Sequence, residues 1–203
     1  MPLTELDIIS HHRTFSFTHQ NITKIAVLGD SGVGKTSLVN RFVSSKFEET
    51  YTMTVGGNFM TKKFPIGNGK IEMLIFSDVA GQDRFKDVRS VFYTGVEIVL
   101  AVCDLTRKNT LKNLEKIWIP EFIRFSSSSY IKPKIQLIGN KCDLEDLIVI
   151  TSDDLKETAF KLSMKYPNIS LLYPCLKTSA KENLFLGEPS KSSEIPMSKS
   201  IAF

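Results

Sequence analysis

Short apolar runs recur along the chain, and most of them lack the polar alternation of a half-exposed strand. An uninterrupted apolar run is typical of a strand that is covered on both faces, as in a parallel sheet. The runs predict six strands, at Ile22–Leu28, Phe59–Phe64, Ile71–Ser77, Ile98–Cys103, Ile135–Gly139 and Leu171–Cys175.

The segments between several of these runs place apolar residues at helical spacing. This period predicts helices at Thr36–Val43, Leu111–Phe125 and Leu155–Met164. The last helix follows the sequence Thr-Ser-Asp-Asp at 151–154, which supplies N-cap candidates and acidic residues for the first turn. Pro120 should kink or divide the second helix, because proline cannot donate to the helical hydrogen-bond ladder.

The order of these elements predicts the fold class. An Asn-Gly pair at 68–69 separates the second and third strands, which favours a hairpin and one antiparallel pair. The remaining strands alternate with helices. We therefore expect an α/β domain with a mostly parallel six-stranded sheet, one antiparallel edge strand and helices on both faces.

Composition narrows the class of protein. The formal net charge of +4 is small and scattered, without the basic stripe of a nucleic-acid-binding surface. Three widely spaced cysteines, Cys103, Cys142 and Cys175, argue against a disulfide framework or a zinc site and favour buried thiols. The sequence offers neither a signal-peptide core nor an apolar run of the roughly 20 residues that span a bilayer.

Residues 29–36, GDSGVGKT, match the phosphate-loop pattern G-x-x-x-x-G-K-[ST]. Small residues let the backbone turn its N–H groups toward phosphate oxygens, and the helix that follows adds its positive end. The lysine can reach the β- and γ-phosphates, and the threonine hydroxyl can coordinate Mg²⁺. Because a predicted strand precedes the motif and a predicted helix follows it, the match is not explained by a chance glycine-rich turn. The candidate nucleotide-binding residues here are Gly29, Asp30, Ser31, Gly32, Val33, Gly34, Lys35, Thr36 and Ser37.

A second motif, Asn140-Lys141-Cys142-Asp143, follows the strand at Ile135–Gly139. Ligands of open α/β sheets bind beyond the carboxyl ends of the strands. The Asp143 carboxylate can accept both N–H groups on the edge of guanine, for which adenine has no matching pair. Asn140 can bond the imidazole side of the base, and the Lys141 stem can lie along the sugar. Alone, the motif could be a polar turn; beside a phosphate loop, it favours guanine over adenine nucleotides.

Together these motifs resemble the Ras superfamily of small GTPases with their P-loop G domain, and the resemblance is greatest to its Rab-like members. It covers about residues 21–183. The sequence DVAGQ at 78–82 resembles the family's second switch, and FEETYTMTVG at 47–56 resembles the Rab first switch. The sequence TSAK at 178–181 is similar to its last guanine-contacting loop.

The resemblance implies roles for individual residues and GTP or GDP as the ligand, with Mg²⁺ as the cofactor. Thr36, Thr54 and Asp78 would hold the metal, and Gln82 would orient the attacking water, with Lys35 and Thr54 also in the catalytic set. Slow hydrolysis is expected, accelerated by an activating protein. Further nucleotide contacts are expected at Phe47, Tyr51, Gly81, Ser179, Ala180 and Lys181.

Several positions depart from the Rab pattern. Ser77 stands where Rab proteins usually carry a tryptophan. The aromatic surface that many Rab partners contact is therefore incomplete, and only Phe59 and Tyr93 of it are expected to remain. No arginine occupies an evident position for an internal finger, and Arg84 and Arg89 are expected to make surface or partner contacts. Exchange factors, activators and effectors are the expected partners. A nucleotide-bound scaffold that does not hydrolyse GTP is the alternative function.

The resemblance also sets the expected domain limits. Residues 1–20 would form an N-terminal extension, 21–186 the G domain and 187–203 a flexible tail. Glu182–Leu186 offers about one helical turn, so the family's final helix should be shortened or missing. Neither Met1-Pro2 nor the residues before Phe203 carry a lipidation motif. We therefore expect a cytoplasmic monomer that reaches membranes only through a partner.

Overall fold

The fold is seen in a computed structural model that describes residues 21–44, 57–67, 70–79, 86–126 and 132–187. Its strands extend each predicted apolar run by a few residues and add one strand at the end. The strands are β1 (Asn21–Leu28), β2 (Gly57–Gly67), β3 (Lys70–Val79), β4 (Ile98–Asp104), β5 (Lys134–Asn140), β6 (Ser170–Ser179) and β7 (Leu184–Gly187).

These strands form a single sheet in the order β2-β3-β1-β4-β5-β6-β7. The interior pairs, β3 with β1, β1 with β4, β4 with β5 and β5 with β6, are all parallel. The hairpin partners β2 and β3 are antiparallel, as predicted, although Asn68 and Gly69 themselves lie outside the described residues. The predicted α/β class with a mostly parallel sheet is therefore confirmed.

The end of the domain differs from the expectation. Glu182–Leu186 does not form a helical turn: β7 pairs antiparallel with β6, so the sheet has seven strands and a second antiparallel edge. Asn183 adopts a left-handed conformation, with φ of +58°, and this reverses the chain after β6. Phe185 is then buried in the core, which stabilises a strand here. Up to residue 187, where the description ends, no helix follows β6.

Five α-helices lie within the described residues. They are α1 (Lys35–Ser44), α2 (Lys86–Tyr93), α3 (Lys108–Asn113), α4 (Ile119–Phe125) and α5 (Ser152–Lys165). The N-cap signal before α5 was correct: the Thr151 hydroxyl accepts from the Asp154 N–H, and the Asp154 carboxylate accepts from the Thr151 N–H.

A π-helical turn, Leu114–Trp118, joins α3 to α4. The Ile119 N–H donates to the Leu114 carbonyl, one residue further back than in an α-helix. Pro120 follows at once, and its ring would crowd the carbonyl four residues earlier in a regular helix. The predicted division of the Leu111–Phe125 helix is therefore found, as a local widening before the proline.

Helices cover both faces of the sheet. Helix α1 packs on one face, where Leu38, Val39 and Phe42 join strand residues in an apolar cluster. On the other face, residues of α2, α3, α4 and α5 surround a second cluster that includes Trp118 and Phe122. The three cysteines are buried and carry free thiols. Within the described ranges, no helix is both long enough and apolar enough to cross a bilayer.

Candidate functional site

The predicted motifs meet at one edge of the sheet, beyond the carboxyl ends of its parallel strands. The phosphate loop follows β1, and Asp78 lies near the end of β3, paired in register with Val27. Asn140 ends β5, opposite Asp104 of β4 and Thr178 of β6. Parallel pairing thus brings residues that are far apart in sequence to a common edge, where open α/β sheets bind ligands.

The phosphate loop is folded so tightly that two of its positions admit only glycine. Gly29 has a φ of +137°, and a Cβ there would lie 2.1 Å from the Val102 carbonyl oxygen of β4. Gly34 has a φ of +98°, and its Cβ would lie 2.2 Å from the Asn140 side-chain nitrogen. Both values are far below ordinary contact distances. The two outer glycines of the motif therefore let the loop lie against the sheet and against the guanine motif.

Lys35 begins α1 and turns its side chain back over the loop. Its ammonium donates to the carbonyl oxygens of Gly29 at 2.7 Å and Asp30 at 2.9 Å. Burial lowers the pKa of Lys35 to about 8, while the carboxylates of Asp78 and Asp30 oppose the shift. A polyphosphate near this ammonium would favour its charged form, so the residue is arranged to attract negative charge.

Two of the three expected metal ligands are in contact. The Thr36 hydroxyl donates to the Asp78 carboxylate over 2.5 Å, between the start of α1 and the end of β3. A hydroxyl and a carboxylate are hard oxygen ligands of the kind that Mg²⁺ binds, usually few in number. The residues present therefore fit the metal that the motifs imply. The third expected ligand, Thr54, lies outside the described residues.

Asn140 is the junction between the two motifs. Its amide nitrogen donates to the Val33 carbonyl oxygen at 2.8 Å, and its amide oxygen accepts from the Thr178 hydroxyl at 3.0 Å and the Ala180 N–H at 3.3 Å. The residue is only 2% exposed. One buried side chain thus connects the phosphate loop to the chain that follows β6.

Lys141 and Asp143 continue the guanine motif from this junction. Lys141 has a φ of +68°, which turns the chain sharply after β5. Its ammonium lies 2.7 Å from the Asp104 carboxylate. Asp143, two residues further on, is half-buried.

Asp104 links this motif to the phosphate loop by a second route. Its carboxylate also accepts from Arg107 at 2.9 Å, and the Arg107 guanidinium donates to the Ser31 carbonyl oxygen at 3.1 Å. Burial alone would raise the pKa of Asp104, but hydrogen bonds from Lys141 and Thr106 outweigh it and hold the pKa below its ordinary value. Asp104 therefore stays charged and holds both cations at the site.

Arg41 of α1 holds the backbone of the loop at 179–181. Arg41 donates from Nε to the Ala180 carbonyl oxygen at 2.9 Å and from Nη2 to the Lys181 carbonyl oxygen at 2.8 Å. The Ser179 hydroxyl accepts from the Glu182 N–H at 2.9 Å. Ser179 and Ala180 are buried and Lys181 is exposed. The predicted third contact loop therefore lies beside Asn140, with its backbone held in place.

The roles of the remaining candidates stay predictions. Ser37 is half-buried in the first turn of α1, next to Thr36. The candidates that cannot be placed all fall in the two switch segments, outside the described residues: Phe47, Tyr51, Thr54, Gly81 and Gln82.

Two expectations about aromatic and basic side chains were wrong. Tyr93 is fully buried, and the ring that stacks on the exposed Phe59 is Phe92, at 5.0 Å between centroids. Consecutive helical residues point about 100° apart, so only one of the two can face β2 while the other enters the core. Arg89 is likewise buried, with 1% exposure, and pairs with Glu121 rather than making a surface contact.

Sequence reasoning also missed residues that support the site. Asp104 and Arg107 were not singled out, because each holds a motif residue and belongs to no nucleotide-binding pattern. Thr178 begins the 178–181 motif, but its bond to Asn140 was not predicted. Asn113 and Trp118 donate to the Asp30 carboxylate at 2.8 and 2.7 Å. The helical stretch 111–125 contains several other polar and charged residues, so nothing in the local sequence distinguished this pair.

The fold and site define a class: an α/β domain with a phosphate loop whose edge also carries a guanine-type motif. The Ras family model matches residues 24–184, and the chain belongs to the Ras family. It is 37% identical over 143 residues to Ras-related protein Rab-1 of Theileria annulata, an alignment that covers 70% of this chain and 63% of that protein.

Other relatives align over more of their length. Ras-related protein Rab-1C of Dictyostelium discoideum is 33% identical over 167 residues, covering 82% of this chain and 76% of that protein. The Ypt/Rab-type GTPase YPT7 of Saccharomyces cerevisiae is 35% identical over 164 residues, covering 80% and 74%. The similarity to Rab-type members that the motifs indicated is therefore confirmed.

Proposed function

We propose that this protein is a guanine-nucleotide switch that binds GTP with Mg²⁺ and slowly hydrolyses it to GDP and phosphate. The observation that carries the proposal is the junction at Asn140, which joins a phosphate loop to a guanine motif through buried hydrogen bonds. A phosphate loop alone would accept any nucleoside triphosphate. Held next to the sequence at 140–143, it suits one whose base presents two N–H groups to a carboxylate.

Base recognition would be divided between Asn140 and Asp143. Both lone pairs of the Asn140 amide oxygen are used by Thr178 and Ala180, and one N–H is used by Val33. The remaining N–H can donate to an acceptor on the imidazole side of a purine. Asp143, which is half-buried at the same edge, can accept the two guanine N–H groups. Selectivity for guanine then rests mainly on Asp143.

Phosphate binding would be shared by Lys35, the loop N–H groups and the start of α1. Thr36 and Asp78, already in contact, would hold the metal with Thr54 of the first switch. When bound, Mg²⁺ neutralises charge on the phosphate oxygens. Gln82 would orient the attacking water. Since the motifs include no internal arginine finger, fast turnover would need an arginine from an activating protein.

The switch would act through the segments that contact the γ-phosphate, around Thr54 and Gly81. Loss of that phosphate would release both segments, and helix α2 follows the second of them. Exchange factors, activators and effectors would distinguish the GTP-bound form from the GDP-bound form by binding to these segments. The Rab-type relatives favour a role in vesicle traffic, carried out in the cytoplasm by a monomer that partners bring to membranes.

Single-turnover hydrolysis of bound GTP tests this function. We expect the wild-type protein to hydrolyse GTP with a rate constant on the order of 10⁻⁴ s⁻¹, as is typical of a small GTPase without an activator. Gln82→Leu should lower the rate at least about tenfold, because leucine cannot orient water. Glu157→Gln, a change at an exposed residue of α5, should leave the rate unchanged.

GTP that stays bound and intact in all three proteins, with and without an added activating protein, would contradict hydrolysis. That result would favour the alternative function, a nucleotide-bound scaffold.

A further inference from the structure

The carboxylate of Asp30, the second residue of the phosphate loop, accepts hydrogen bonds from α3 and from the π-helical turn that follows it. The Trp118 indole donates to Oδ1 at 2.7 Å, and the Asn113 amide donates to Oδ2 at 2.8 Å. Each oxygen thus has its own side-chain donor, and the bonds are charge-assisted. The orientation of the carboxylate is fixed, and with it the part of the loop whose carbonyl receives the Lys35 ammonium.

The π-helical turn makes this pair of bonds possible. Asn113 and Trp118 are five residues apart, which in a regular α-helix would place them about 140° apart around the axis. The turn Leu114–Trp118 contains an extra residue, which turns the two side chains toward the same side. Such turns are frequent at functional sites. Here the turn serves the phosphate loop directly.

Helix α2 lies against the face of the indole ring. The Arg89 guanidinium lies 4.5 Å from the centroid of the Trp118 ring. Its Nη2 donates to Glu121 of α4 at 2.8 Å, and Glu121 also accepts from the Tyr93 hydroxyl at 2.8 Å. Two residues of α2, one turn apart, are therefore bound to the segment that carries Trp118.

The Arg89 charge is poorly satisfied apart from these contacts. Its Nε and Nη1 are buried and find no hydrogen-bond acceptor among the described residues. The Lys35 ammonium lies 6.0 Å from the centroid of the same ring. The indole is thus bonded to the phosphate loop, packed against Arg89 of α2 and close to the phosphate-binding lysine.

We propose that Trp118 is a positioning residue through which helix α2 controls the phosphate loop and so the rate of nucleotide release. Arg89 holds the indole, the indole holds Asp30, and Asp30 holds the loop around Lys35. A displacement of α2 withdraws Arg89, loosens the indole and frees the Asp30 carboxylate, which speeds release. The coupling rests on the proposed function, because it needs a bound nucleotide.

A double-mutant cycle on the rate of GDP release tests the coupling. Trp118→Phe keeps a ring under Arg89 but removes the bond to Asp30. Arg89→Lys keeps a charge near Glu121 but removes the guanidinium group that lies over the indole. We expect each change alone to speed release about tenfold to 100-fold, as for the loss of one charge-assisted hydrogen bond. Because both act through one contact, the double variant should be about as fast as the faster single variant.

The matched control is Asn113→Ala, which removes the other bond to the same carboxylate but does not touch Arg89. Its effect should multiply with that of Arg89→Lys. If the effects on the release rate also multiply for Trp118→Phe combined with Arg89→Lys, the two residues act independently, and the coupling is overturned. Wild-type protein that binds no GDP would overturn the proposed function together with the coupling, so the two failures are distinguishable.

A second measurement covers the case in which Arg89→Lys does not fold. Trp118 is the single tryptophan of the chain, so fluorescence excited beyond the absorption of its five tyrosines reports the surroundings of this indole. Exchange of GDP for a GTP analogue that resists hydrolysis should change its emission, because α2 follows the second switch. An unchanged spectrum after complete exchange would overturn the coupling.

Discussion

Replacement of Gly34 with alanine is expected to lower the affinity for GDP by at least about 100-fold. The new Cβ would lie 2.2 Å from the Asn140 side-chain nitrogen, in a backbone conformation with φ of +98°. Asn140 cannot move aside without breaking its bonds to Val33 and Thr178. Either the loop or the guanine motif must shift, and a penalty of about 3 kcal/mol corresponds to a loss of this size.

Gly32→Ala is the matched control, in the same loop and also at positive φ. Gly32 has a φ of +74°, and its nearest neighbour would be the Arg107 guanidinium at 3.7 Å, which is ordinary contact. The cost is therefore backbone strain alone, about 1–2 kcal/mol, and affinity should fall by roughly tenfold. Titration with a fluorescent GDP measures both variants. Equal losses in the two would contradict the contact between Gly34 and Asn140.

Asn140→Ala has the second large effect, on stability as well as on binding. The change leaves the Val33 carbonyl, the Thr178 hydroxyl and the Ala180 N–H without their partner in a buried place. Unpaired buried groups cost about 1–3 kcal/mol each, so we expect a loss of roughly 2–4 kcal/mol in the free energy of unfolding after partial relaxation. Denaturant unfolding measures this directly.

Nucleotide release from Asn140→Ala should speed up at least about 100-fold, because the phosphate loop and the 179–181 loop lose their common anchor. Thr178→Val is the control: it keeps the shape of the side chain and removes only one of the three bonds. This variant should lower the free energy of unfolding by about 1 kcal/mol and speed nucleotide release only severalfold. A Thr178→Val variant as defective as Asn140→Ala would show that the junction depends on β6 rather than on Asn140.

The sequence was sufficient for those features that depend on local pattern. The run Ile22–Leu28, the glycines after it and the helix that follows are contiguous, and so the strand, loop and helix were all predicted. The same holds for the capping box at Thr151, whose two partners are three residues apart. The position of Asn140 followed from a general rule, that ligands bind at the carboxyl ends of parallel strands.

Features that depend on contacts between distant residues were missed. Glu182–Leu186 was expected to form about one helical turn, but the open edge of β6 and the burial of Phe185 favour a strand at Leu184–Gly187. Arg89 looked like a surface residue because nothing local indicates Glu121, which is 32 residues away. In the same way, the choice between Phe92 and Tyr93 depends on how α2 is rotated against β2, and periodicity does not determine that rotation at the end of a short helix.

Competition between guanine and adenine nucleotides tests the central claim most directly. Protein loaded with a fluorescent GDP in the presence of Mg²⁺ would be titrated with unlabelled GDP and, separately, with ADP. A site that hydrogen-bonds the edge of the base rejects a base that lacks those groups by about 10⁴-fold. We therefore predict that GDP displaces the probe and that ADP does not, even in at least about 1,000-fold excess. Displacement by ADP at concentrations similar to GDP would contradict the role of Asn140 and Asp143, and with it the assignment of a guanine-nucleotide switch.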